Sequence, residues 1–132
     1  MTNAKITDTQ KQAVAEEFLA GLKARDWDRL RAIMTDDIVW TMPGNSLISG
    51  EASGVESVLA RAQQIVGYGL DFALNHILIG QHHVALSLHN TAKRGELTLD
   101  EYLATVCFLR DGKIAAIHTF LSDIDSMNAF FV

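Results

Sequence analysis

Between Thr7 and Lys23 apolar residues recur at helical spacing, with Val14, Phe18 and Leu22 four apart and Ala15 and Leu19 beside them. Thr7-Asp8-Thr9-Gln10 forms a Thr-x-x-Gln capping box at its start, so a helix is predicted here. Asp26 can cap a second, short helix in which Trp27, Leu30 and Ile33 or Met34 repeat every three or four residues. Ile38-Val39-Trp40-Thr41-Met42, stopped by Pro43-Gly44, reads as a short strand. Ser53-Gly54-Val55-Glu56 is a second capping box, and Val55, Val58, Leu59, Ala62, Ile65 and Val66 predict a third helix broken at Gly67. From Leu70 the period changes to that of strands, four of them, over roughly 71–79, 83–93, 97–110 and 113–122. Gly80, Arg94-Gly95 and Asp111-Gly112 separate them with tight turns that make neighbours antiparallel. Helices first and a meander after predict an α+β fold with helices on one face of a curved sheet, and a short capped turn follows at Asp123 to Ala129.

Composition narrows the functional classes. The 132 residues, 48% hydrophobic and with one proline, show no repeat or linker and are expected to form one domain over 1–132. With 11 Lys+Arg against 16 Asp+Glu the net charge is -5, so nucleic acid and anionic membrane surfaces are unexpected partners. No apolar h-region opens the chain and no run approaches the ~20 apolar residues of a membrane span. The single cysteine, Cys107, lies between Val106 and Phe108 and reads as a core thiol; a cytoplasmic location is expected. No phosphate-binding glycine loop is present, and the adjacent His82-His83 is the only close histidine spacing, so neither cofactor nor metal is expected.

This element order, with Thr35-Asp36-Asp37-Ile38-Val39-Trp40, Ser49-Gly50-Glu51, Phe108-Leu109-Arg110-Asp111-Gly112-Lys113-Ile114 and the closing Ser122-Asp123, resembles the nuclear transport factor 2-like superfamily. The similarity is to its SnoaL-like polyketide cyclase and ketosteroid isomerase-type branch. It implies a cystatin-like α+β roll: a cone-shaped, curved antiparallel sheet and three helices of the N-terminal half around an apolar pocket, with the outer sheet face often making a dimer. Such cones host isomerases, cyclases, dehydratases, epoxide hydrolases and plain carriers, so the residues must decide. At the three positions that carry ketosteroid isomerase chemistry this chain has Met42, Phe18 and Thr105, which removes that activity.

Strand alternation puts Leu103, Thr105, Cys107 and Leu109 on one face of the 97–110 strand and Tyr102, Ala104, Val106 and Phe108 on the other. The resemblance implies that the Thr105 face looks inward, together with Ile117 and Thr119, Trp40 and Met42, Phe18, and Leu59 of the third helix. That lining suits a small hydrophobic or aromatic molecule. For acid/base work the candidates are His89 and Glu101, with Asn90, Thr105 and Thr119 as positioning groups. A three-residue loop at Arg94-Gly95-Glu96 would set His89 opposite Glu101; a two-residue loop would set His89 toward Asp100 on the other surface and turn Asn90 inward. His76 reads as a core histidine, His118 as outward-facing and His82-His83 as a solvated turn. Two functions follow, a cofactor-independent acid/base enzyme acting as isomerase, cyclase or dehydratase, or a non-catalytic carrier. A homodimer through Tyr102, Val106, Phe108 and Phe120 is expected; the alternative cover for that face is the tail from Met127 to Val132 folded back on it.

Overall fold

The computed structural model describes residues 6–132; residues 1–5, part of the leading segment expected to lack an apolar h-region, lie outside the described residues. The first capping box forms as predicted, with the Gln10 N–H donating to Thr7 Oγ1 at 3.1 Å and the Thr7 N–H to Gln10 Oε1 at 2.8 Å. It opens helix α1 (Asp8–Ala24), which ends where Arg25 turns left-handed at φ 54. The Asp26 carboxylate accepts the Arg29 N–H and caps α2 (Trp27–Arg31). Gly21 is where α2 crosses α1: a Cβ there would stand 2.8 Å from Leu30 Cδ2.

The strands are β1 (Met34–Met42), β2 (Gly50–Ser53), β3 (Asp71–Ile79), β4 (His83–Arg94), β5 (Leu97–Arg110) and β6 (Lys113–Leu121). Helix α3 (Val55–Gly67) lies between β2 and β3, and α4 (Ile124–Phe130) follows β6. All six strands form one sheet in the order β2-β1-β6-β5-β4-β3. Several expectations are corrected. Met34 opens β1 instead of closing α2, because it pairs with Ile114 of β6. That β1–β6 pairing is parallel, so the sheet is mixed and not wholly antiparallel. The short β2 was not anticipated; it pairs antiparallel with β1, Trp40 facing Ala52. The second capping box does not form, since Ser53 belongs to β2 and Gly54, at φ 89, is the N-cap. The Gly54 N–H donates instead to Ile38 O at 2.7 Å and ties the start of α3 to β1. Asp123, through its carboxylate, caps α4 at the Ser126 N–H.

Two of the three hairpins of the meander place residues at positive φ. Asp111 and Gly112 stand at φ 53 and 80, as the Asp-Gly turn demands. In the β4–β5 hairpin Arg94 pairs with Leu97, which leaves the two residues Gly95 and Glu96 as the loop. Gly95 sits at φ 62 in the first central position, where a two-residue turn of the glycine-first kind requires it. This choice of loop fixes the face of every residue on β4 relative to β5.

The inner face of the sheet packs against α1 and α3 around Phe18, Leu86, Ile117 and Val58, all at most 2% exposed. The outer face carries Tyr102 and Phe120, each 57% exposed. The C-terminal tail does not cover that face: Phe130 and Phe131 are buried with the core, Phe131 against Tyr68. His76 is exposed, not a core residue, because a bulge between Leu74 and His76 turns it outward opposite Ser87. His118 faces outward as expected.

Candidate functional site

A cavity of about 50 Å³ lies between the inner face of the sheet and helices α1, α3 and α4. On β5 it reaches from Leu99 through Glu101 and Leu103 to Thr105, and on β4 it takes in Leu88 and Asn90. It stops at the Thr105–Thr119 rung, and the next rung, Cys107 with Ile117, is fully buried. Phe18 and Leu22 of α1 and Trp40 and Met42 of β1 form further walls. Leu59 and Ile117 do not line it; both are buried in the core beyond the end of the cavity, where side chains fill the space. Met127 of α4 and Phe131 close another side, a contribution the sequence reading missed. The signal for it was the apolar content of the tail, Met127, Phe130 and Phe131.

The two-residue loop decides the chemistry. His89 faces away from the cavity: it pairs with Tyr102 across the strands, stacks on that ring with centroids 4.3 Å apart, and bonds to the Asp100 carboxylate on the outer surface. The expected His89–Glu101 pair is therefore absent, and His89 cannot exchange protons with anything held inside. Asn90 instead faces inward directly opposite Glu101. Asn90 is 6% and Glu101 2% exposed, an unusual burial for a carboxyl group with no cation beside it. No Lys, Arg or His stands among the residues that line the cavity.

Burial pushes the Glu101 carboxyl up to about 7; the Asp123 N–H, 3.4 Å from Oε1, works against this and the Asp123 charge adds to it. Burial thus places the titration of Glu101 near neutral pH with no histidine beside it. At the other end of the cavity Trp40 Nε1–H donates to Thr119 Oγ1 at 2.9 Å, which leaves the Thr119 hydroxyl hydrogen free to donate. Cys107 is inert, since burial pushes its thiol up to about 12.

Arg61 of α3 is a residue that sequence reasoning passed over, although it stands inside the apolar stripe formed by Val58, Leu59, Ala62 and Ile65. It is 9% exposed, and its guanidinium donates to Trp40 O at 2.8 Å, Gly50 O at 3.0 Å and Ser49 O at 3.1 Å. It also lies 5.7 Å from the Trp40 ring centroid. Arg61 thereby fixes the β1–β2 corner and the indole that walls the cavity. Among the described residues no group of three His, Cys, Asp or Glu side chains is placed to hold a metal ion. No described helix is long and apolar enough to cross a membrane.

Solved structures similar to this chain share its fold. The structure of Bal32a, from a soil-derived mobile gene cassette, is 23% identical and superposes with a TM-score of 0.89 over 95% of this chain and 98% of that one. A putative SnoaL-like polyketide cyclase from Jannaschia sp. CCS1 is 17% identical, covering 100% of this chain and 99% of that one, with a TM-score of 0.78. An epoxide hydrolase of M. tuberculosis, described as LEH-like, is 21% identical over 94% of this chain and 90% of that one, with a TM-score of 0.74. No curated protein matches the sequence. The family model of the SnoaL-like domain matches residues 15–117, more than three quarters of the chain, and with this match the chain belongs to the SnoaL-like domain family.

Proposed function

We propose that the protein is a cofactor-independent acid/base enzyme acting on a small, mostly apolar molecule, with Glu101 as the group that takes and returns the proton. One observation carries this reading: a single ionisable side chain, Glu101, reaches into a cavity whose lining is otherwise uncharged. A carrier for an apolar ligand has no use for a buried carboxyl, which costs stability to keep there.

The chemistry follows from the placement. Glu101 as carboxylate takes a proton from a carbon next to a substrate carbonyl, and the C–H electron pair moves into the enolate so formed. Where a C=C bond stands next to that carbon the enolate is a dienolate, and Glu101, now a carboxylic acid, returns the proton to its far end, so that the double bond shifts into conjugation with the carbonyl and no proton or electron is gained or lost. The Thr119 hydroxyl, held in position by the Trp40 indole, is a donor for a polar group at the end of the substrate away from the reacting carbon. Trp40, Met42, Phe18 and Leu103 provide the apolar walls that exclude water around the reacting carbon. Tyr102, Val106, Phe108 and Phe120 on the outer face serve a homodimer, which leaves the cavities of both copies unobstructed.

The test is proton exchange in deuterated water, followed by NMR with cyclohexanone and 2-cyclohexenone as probes. The protein should accelerate loss of the hydrogens next to the carbonyl, Glu101→Gln should abolish the acceleration, and His89→Ala should leave it unchanged. Exchange no faster than buffer with either probe, or undiminished in Glu101→Gln, would support the carrier instead.

A further inference from the structure

Asn90 and Glu101 are direct cross-strand partners on the inner face, yet no hydrogen bond joins their side chains. Asn90 Oδ1 is buried and has no hydrogen-bond partner. Leaving a buried carbonyl unpaired carries a desolvation cost that a bound O–H or N–H removes. Side chains opposite one another in such a pair have Cβ atoms about 4.5–5.5 Å apart, so one small group can touch both. We propose that the cavity takes an uncharged, ring-sized molecule bearing a hydroxyl, whose O–H donates to Asn90 Oδ1 and whose oxygen faces the Glu101 carboxyl. This rests on the cavity being the substrate site and narrows the class of substrate.

The charge of the ligand follows from what the cavity lacks. An anion would find no cation in the lining and would lie against Glu101. The nearby Arg61 guanidinium is spent on the carbonyls of Trp40, Gly50 and Ser49. An ammonium would have to shed its hydration in an otherwise apolar cavity against Glu101 and Asn90 Oδ1 alone, an exchange that favours the neutral hydroxyl. The next acceptor on the strand is Thr105, four residues along β5 and so ~13 Å away. A hydroxyl has one donor for Asn90 and an oxygen that accepts from Glu101 when the carboxyl is protonated. The size follows from the volume: about 50 Å³, where one water needs roughly 10–15 Å³, holds a few non-hydrogen atoms before any wall moves. Met42 and Met127 are the walls that yield most readily, which extends the limit to a single ring.

Phenol, anisole, toluene, benzoate and benzylamine, titrated by NMR at pH 7, test this directly. Phenol should bind about tenfold more tightly than toluene, the gain of one hydrogen bond to an otherwise unpaired acceptor. Anisole, whose oxygen can accept from Glu101 but which cannot donate to Asn90 Oδ1, should fall well short of phenol, and the two charged probes should bind more weakly still. Asn90→Leu should bring phenol down to the level of anisole and leave toluene unchanged. The ratio in the unaltered protein stands even if that variant fails to fold. Anisole equal to phenol, or either charged probe the tightest, would overturn the hydroxyl assignment and leave the cavity as the binding site. Binding by none of the five would overturn both.

Discussion

Replacing Glu101 by glutamine should raise stability at high pH and leave it unchanged at low pH. The carboxyl titrates at about 7 in the folded chain against an ordinary value of 4.5, a difference of about 2.5 units. At ~1.36 kcal/mol per unit this sets a ceiling of roughly 3 kcal/mol on what ionising Glu101 costs the native state. The folded state holds this proton more tightly, so the contribution is fully present below pH 4.5 and is lost as pH rises through 7. Glutamine is neutral throughout and close in shape, so subtracting the two stability profiles cancels every other titrating group. Urea denaturation at half-unit steps from pH 4 to 9 measures the difference. The wild-type protein should match the variant near pH 4.5, fall behind it steadily to pH 7, and trail by a constant amount, up to about 3 kcal/mol, above pH 8. Parallel profiles would mean that Glu101 is solvated in the folded chain, and both the buried carboxyl and its role in proton transfer would fail together.

Thr119→Val should cost ~1–3 kcal/mol in the same denaturation assay, because it strands the buried Trp40 N–H, whereas Trp40→Phe combined with Thr119→Val should recover part of that loss. Gly21→Ala should destabilise despite the better helix propensity of alanine, since the new methyl would meet Leu30 at 2.8 Å; a rise in melting temperature would show that α1 and α2 have room to separate. Phe120→Lys together with Tyr102→Lys should give a monomer in sedimentation equilibrium where the unaltered chain is a homodimer, and an unaltered chain that is itself monomeric would remove the outer face as an interface.

The sequence by itself determined what local physics encodes. Thr7 with Gln10 and Asp26 with Arg29 marked helix starts through hydrogen bonds that span three residues, and Asp111-Gly112 marked a hairpin because only such pairs tolerate two positive φ angles in succession. Alternation along β5 put Leu103 and Thr105 on one face and Tyr102 and Val106 on the other, and the resemblance then sufficed to say which face was inside. What the sequence left open was relative position across elements. The parallel partnership of β1 with β6 joins Met34 to Ile114, eighty residues on, and no local pattern records such a choice. Placement of the tail under the cavity, through Met127 and Phe131, depended on which of two apolar faces offered the better fit. The site turned on one residue of register. Gly95 serves a loop of two residues as well as one of three, and since side chains alternate with period two, that single step moved His89 to the surface and brought Asn90 into the interior beside Glu101.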